Sequence, residues 1–553
     1  MEVVDSGTRY QTNRLKIDSN NNEKNNKNDS NMQDNLEEND IVKDLENKQY
    51  KGTFKTLLKK GDAELKNNNL SEAKKIFEAL IEQHPDKDVG YFYLGKTLTK
   101  LQKYKDAIEQ YDIGITKNET RISFYLNKGV CYFNIRDYKA AEESFNKGLF
   151  LNDKDPNLYL NKGVALNHLK RYDEAIECFN KGIEINPKDA AFYNNLGVAH
   201  FRLRNFEQSV EAYDKAINLN PNDYLLYMNK GVSLKNLEKY EEALKCLNKA
   251  LEMQNDDPVI YFNIGNVHRS LEQFDEAMKF YDRAIDINKN YVSAFYNKGL
   301  VYSHLNDHKT AIKMFKTCIK LNPKYEYAYL NTGISLDLLN KREEAIDIYN
   351  KLIDMNPKFA EAYLNKGITL FNMGKFKEAV TEYNFAIETN KKLINAYNNK
   401  GVCLFKLGKY EEAIEAYEEA LSLDPNYLDA ILNKGTCLKA LGRVDEAIEE
   451  FTVALDKDSK NPIIFYNIGC VYAMLNNKAL KEKGIEYLDK AIELCNDFYD
   501  AYFNKGVILS GIGKYPEALK EFLKCKELRN GEASAELQRF INDCTSGVNR
   551  NLV

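Results

Sequence analysis

Apolar residues recur every three or four positions along most of this chain, and the pattern restarts after each short polar break, as a series of helices with one buried face requires. The clearest stretch is Ala396–Pro425, AYNNKGVCLFKLGKYEEAIEAYEEALSLDP. Tyr397, Gly401, Leu404 and Leu407 share one helical face. Beyond the break Leu407-Gly408-Lys409-Tyr410, Ala413, Tyr417 and Ala420 share a second, with Leu421 widening the stripe. Gly401 and Ala413 are small enough for two backbones to approach, and Tyr397 and Tyr417 are large enough to fill the space between units. The stretch predicts a helix–turn–helix that cannot bury its apolar faces alone and needs a neighbour on each side.

The neighbours are present. Gly61, Gly95, Gly129, Gly163, Gly197, Gly231, Gly265, Gly299, Gly333, Gly367, Gly401, Gly435 and Gly469 are each 34 residues apart, and Gly506 follows after 37. With each glycine counted as position 8 of its unit, alanine recurs at position 20, Tyr or Phe at 24 and Pro at 32. This helix–turn–helix period resembles the tetratricopeptide repeat (TPR) family over about residues 54–528, fourteen repeats, although no tryptophan stands at position 4. The resemblance implies an all-α fold, a right-handed α-solenoid superhelix of 34-residue units whose first helices line its concave face.

Prolines test this register independently. Pro85, Pro187, Pro221, Pro323, Pro357 and Pro425 sit at position 32, between helices. Pro156, Pro258 and Pro462 open first helices, and Pro516 begins a second one, where a missing N–H is tolerated. Three segments are expected. Residues 1–40 form an Asn-rich polar tail with too little apolar surface to offset the entropy of ordering. Residues 41–528 form the repeat array, with repeats 1 and 2 degenerate. Residues 529–553 form a capping helix and short tail, with Ala533, Leu537, Phe540, Ile541 and Cys544 on the apolar face. Three extra residues within Asn476–Lys483 are expected to enlarge the inter-helix turn of repeat 13, where Gly484 replaces the usual alanine.

Composition narrows the function classes. A net charge of −5 over 553 residues provides no global basic field for nucleic acid or anionic membrane. No apolar run reaches the roughly 18 residues that span a bilayer, and the first residues, MEVVDSG, lack a signal peptide's pattern. A cytoplasmic location is therefore expected, with nuclear or ciliary variants of it. Ten cysteines include no CxxC pair; Cys131, Cys403 and Cys437 at position 10 and Cys318 and Cys525 at position 27 read as small buried apolar residues. His304 and His308 are one turn apart, but no third ligand accompanies them, so no metal or cofactor is expected. Without a phosphate-binding Gly-rich loop or a nucleophile elbow, the sequence does not read as an enzyme.

Position 6 carries the sharper signal. Asn127, Asn161, Asn195, Asn229, Asn263, Asn297, Asn331, Asn365, Asn399, Asn433, Asn467 and Asn504 occupy it in twelve successive repeats. Mid-helix Asn costs roughly half a kcal/mol against Ala, so a hydrogen bond is needed to explain it. A side-chain amide offers a donor and an acceptor and can pair with both groups of a peptide backbone. The pattern resembles the asparagine ladder in the TPR region of O-linked N-acetylglucosamine transferase, whose catalytic domain has no counterpart here. Apolar residues at positions 5 and 9 flank the amides, and Lys at position 7 reads as a stem covering apolar surface with its ammonium in water. The carboxylate clamp of chaperone-tail binders is missing: Asn266 is the sole position-9 Asn, and Phe262, Tyr327 and Asn331 stand where the clamp's other residues would. The expected function is a non-enzymatic scaffold gripping an extended segment of a partner protein. The alternatives are a fixed subunit of a large assembly, resembling anaphase-promoting-complex or ciliary-transport subunits, and a targeting subunit for a separate catalyst. Edge-to-edge self-association would favour the assembly reading.

Overall fold

The computed structural model describes residues 52–551; the Asn-rich tail lies outside them. Among the described residues there are 29 helices and no strand. They form fourteen hairpins and a final helix, Ala535–Asn551. The chain divides into two compact units, residues up to 297 and residues from 298 onward.

Repeat 11 represents the pattern, with a first helix Ile394–Lys406 and a second helix Tyr410–Leu423. The glycine at position 8 is required by the ring at position 24. A Cβ on Gly401 would lie 2.5 Å from Cε1 of Tyr417, itself 1% exposed. The same ring-on-glycine contact recurs through both units, from Gly61 on Phe77 to Gly506 on Phe522. Alanine at position 20 is fully buried in most repeats, Ala413 and Ala447 among them.

Neighbouring hairpins meet by a size exchange between position 27 and position 3 of the next repeat. Gly114, Gly148 and Gly182 face Phe124, Leu158 and Phe192, and a Cβ on Gly182 would fall 2.0 Å from Cε1 of Phe192. Other junctions pair two alanines, as at Ala386–Ala396 and Ala420–Ala430, or an alanine with a larger residue, as at Ala250–Ile260, all 0% exposed.

Every first helix except that of repeat 13 ends in a Schellman turn. In repeat 4, Lys170 N–H donates to Asn167 O and Arg171 N–H to Leu166 O, with Lys170 at φ 62°. Gly374, Gly408, Gly442 and Gly513 hold the same left-handed position in later repeats, but repeats 1–9 place Asn, Gln, Arg, Lys or Glu there.

The repeat-13 insertion does not enlarge the turn by three residues. The second helix, Lys478–Leu494, is 17 residues long instead of 14, and the first, Pro462–Ala473, is one residue shorter than its counterparts. Three residues are close to one helical turn of 3.6, so lengthening the helix keeps its buried face in phase and satisfies the added backbone groups. Asn477 caps the new start, accepting from Leu480 N–H. In Ala535–Asn551, Leu537, Ile541 and Cys544 pack on Phe522 and Cys525 of the preceding helix.

Candidate functional site: the first-helix face

Within the first unit, each first helix from Phe54–Lys66 to Pro258–Ser270 touches the next first helix; within the second unit the same holds from Glu326–Leu338 to Tyr499–Gly511. Second helices make no comparable series of contacts with each other, so in each unit the first helices lie on the inner side of the local curve. Position 6 is on these helices, and none of its twelve asparagines is exposed.

The amides divide by where they bond. Asn127, Asn195, Asn331 and Asn365 donate through Nδ2 to the carbonyl four residues earlier in their own helix, at 2.8, 2.8, 2.9 and 2.8 Å to Ser123, Ala191, Tyr327 and Glu361. A carbonyl can only accept, so each of these amides spends one of its two N–H groups on its own helix. Oδ1 of Asn127, Asn195 and Asn229 is buried and accepts no hydrogen bond. A second group reaches the preceding repeat: Asn297 to Asn266 Oδ1 (2.6 Å), Asn433 to Asn398 Oδ1 (3.1 Å) and Asn504 to the Tyr466 hydroxyl (3.1 Å). Asn504 also donates to Asp500 O, and Asn467 Oδ1 accepts from Lys439 Nζ at 3.0 Å. Asn161 and Asn263 are buried at the same position, and Asn399 is half-buried.

Five of the position-7 lysines do not hold their ammonium groups in open water. Lys434 bridges Glu418 of the preceding repeat (3.0 Å) and Glu450 of its own (2.8 Å), and Lys505 bridges Asp489 (2.7 Å) and Glu521 (2.9 Å). Lys230 pairs with Asp214, Lys366 with Glu382, and Lys128 with Asp112. Burial lowers the Lys434 pKa, but the hydrogen bonds to Glu450 and Glu418 outweigh it and leave the pKa above the usual lysine value. The carboxylates come from second helices, so these lysines tie hairpins together.

One cleft gathers part of the ladder. It measures about 280 Å3 between the first helices Ala190–Arg202 and Tyr224–Asn236 and is lined by Asp189, Ala190, Ala191, Asn194, Asn195, Asn220, Asp223, Leu225, Leu226 and Asn229. The sequence singled out Asn195 and Asn229 but not Asn194, Asp189, Asn220 or Asp223. The aspartates could have been noticed, because Asp155, Asp189, Asp223 and Asp257 recur just before first helices and cap them through the second residue's N–H.

Cysteine burial is the other chemical feature. Cys131, Cys318, Cys403, Cys437 and Cys525 are buried, and burial pushes the Cys403 and Cys437 thiols up to about 12. These are packing residues, not nucleophiles at neutral pH. Among the described residues no cluster of three or more His, Cys, Asp or Glu could hold a metal, and no helix is long and apolar enough to cross a membrane.

Tetratricopeptide repeat models match residues 156–189, 190–223, 292–325 and 394–427, and related models of the same description match 58–120, 122–155, 223–290, 327–358, 348–381, 416–449 and 487–520. An uncharacterised protein of Methanocaldococcus jannaschii is 41% identical over 70 residues, 12% of this chain and 77% of that one. Among solved structures, the APC/C hetero-tetramer Cut9–Hcn1 is 14% identical with a TM-score of 0.40, covering 89% of this chain and 96% of that one. Yeast Tom70 is 16% identical with a TM-score of 0.39, covering 79% and 95%. YrrB, described as a TPR protein with an unusual peptide-binding site, is 25% identical over 34% of this chain and 95% of its own, with a TM-score of 0.29. By the extent of these repeat matches and the hairpins they fall on, the chain belongs to the tetratricopeptide repeat family.

Proposed function

We propose that the chain is a non-catalytic scaffold whose first-helix face holds an extended segment of a partner protein, the position-6 amides accepting from the partner's backbone N–H groups. The observation that carries this reading is the direction of the amides: where Nδ2 is tied to the parent helix, Oδ1 is left as a buried acceptor without a partner, at Asn127 and Asn195. An unmet acceptor is costly, and a peptide N–H arriving at each would remove that cost without reading side chains. In this reading Asn127 and Asn195 act as acceptors, one N–H of each amide being spent on the parent helix.

The experiment is selection of peptides from a random display library on the full chain, followed by affinity measurement against Asn365→Ala/Asn399→Ala. Neither residue bonds to another repeat. Two lost hydrogen bonds at about 1 kcal/mol each weaken binding by about 30-fold, while the thermal melt stays within a degree or two. A tight peptide whose affinity ignores the double substitution removes the ladder from the binding surface. A fixed place in a larger assembly is the second reading, favoured by Phe150, which is 92% exposed on the second-helix side. Large co-purifying particles that survive the ladder substitutions support it.

A further inference from the structure

The second helix of repeat 8, His308–Leu321, reads HKTAIKMFKTCIKL and contains no acidic residue. Lys309, Lys313, Lys316 and Lys320 follow one another at spacings of four, three and four, which puts them on one helical face, and all four are exposed. Like charges one turn apart repel, and Lys309 also stands in the first turn, the wrong end of the helix dipole for a cation. Among the described residues no ion pair holds any of the four. Asp307 is spent on capping Thr310 N–H at 3.1 Å, and Glu344 of the next repeat pairs with Lys341 at 2.8 Å.

Repeat 11 carries the opposite ridge. Its second helix, Tyr410–Leu423, reads YEEAIEAYEEALSL and contains no basic residue. Glu412 pairs with Lys409 and Glu418 with Lys434. Glu411, Glu415 and Glu419, four residues apart, are exposed and hold no ion pair among the described residues. The helix dipole accounts for Glu411 but not for Glu415 or Glu419, which lie beyond the first turn. Exposed Asp445 and Glu449 of repeat 12 add negative charge beside this ridge.

We infer that the lysine ridge of repeat 8 docks on the glutamate ridge of repeat 11 in a second copy of this chain, so that copies associate head to tail through their second helices. Both ridges advance by about one helical turn per charge, so lysine meets carboxylate at each step when the two helices lie side by side. Repeats 9 and 10 lie between them, and a solenoid repeat contacts only its neighbours, so the ridges meet between copies and not within one. Nucleic acid fits less well. The positive stretch is one helix long, and the next second helix, Arg342–Met355, presents exposed Glu343, Glu344 and Asp347 to a continuing run of phosphates. A contact between unlike surfaces leaves one ridge of each sign open at the ends, so the assembly grows with concentration. The position-6 amides take no part in it; each added copy instead brings another first-helix face within reach of the same partner.

The test is sedimentation velocity of the full chain over a concentration series. The wild type is expected to gain mass with concentration at about 50 mM salt and to return to monomer at about 500 mM, where exposed charges are screened. Lys309→Glu/Lys313→Glu and Glu411→Lys/Glu415→Lys/Glu419→Lys are each expected to weaken association at least about tenfold, with unchanged melting curves showing that both still fold. An equimolar mixture of the two variants is expected to associate again, because the native lysine ridge of one meets the native glutamate ridge of the other. Association that persists in either variant alone overturns the inference, as does a mixture that stays monomeric. A monomeric wild type overturns it too. If that monomer binds a labelled oligoglutamate peptide, or a duplex oligonucleotide, and loses it with Lys309→Glu/Lys313→Glu, the ridge belongs to an acidic partner or to nucleic acid instead.

Discussion

Gly182→Ala puts a methyl carbon 2.0 Å from Cε1 of Phe192, a ring 1% exposed between repeats 4 and 5. The ring cannot move aside without disturbing the hairpins that enclose it. Overpacking of this kind costs about 1–3 kcal/mol, and the gain in helix propensity returns about 1. Phe192→Ala alone leaves a cavity costing about 3–5 kcal/mol. In the double variant the clash is gone, the propensity gain remains, and the pair becomes the Ala–Ala arrangement already present at Ala386–Ala396. The double variant is therefore expected to be more stable than the sum of the singles by about 1–3 kcal/mol. A repeat array need not unfold in one step, so the assay is hydrogen exchange of the helices Tyr172–Ile185 and Ala190–Arg202 rather than a global midpoint. Additive effects of the two substitutions would refute the size-exchange account of how hairpins meet.

Two further outcomes follow from local chemistry. Replacing the left-handed Lys170, Arg204, Glu238 and Glu272 by glycine should raise stability by about 0.5 kcal/mol each, because glycine holds positive φ without a Cβ clash but loses more chain entropy; a denaturant series showing no gain counts against strain at those turns. The raised thiols of Cys403 and Cys437 favour the fold while protonated, so their contribution is complete below the unfolded value near 9 and is lost as pH climbs from there towards about 12. A melting curve above pH 9 should fall less steeply for Cys403→Ala/Cys437→Ala, alanine being what Ala165 and Ala199 already supply at that position.

Much of the architecture was legible because packing writes it locally. Gly401 and Tyr417 are sixteen residues apart and must touch in any such hairpin, and the prolines mark the breaks without reference to other residues. What was not legible depends on a partner in another repeat or on a rotamer. Lys434 looks like a solvated stem until Glu418 and Glu450 are placed around it. Asn127 and Asn433 both stand in Leu-Asn-Lys-Gly at position 6, yet one bonds its own helix and the other Asn398 of the previous repeat. The repeat-13 insertion was placed in the turn because loops usually absorb added residues; a length close to one helical turn let the helix take it instead.

The most direct test of the scaffold account is a cycle between the ladder and the peptide backbone. Each amide of a selected peptide is N-methylated in turn, and the affinities are measured on the wild type and on Asn365→Ala/Asn399→Ala. The account predicts one or two methylations that weaken wild-type binding about tenfold and have little further effect on the variant, because the acceptor they would have met is already gone. Methylation losses of equal size on both proteins, at every amide, would contradict the claim that position-6 carbonyl oxygens hold the chain.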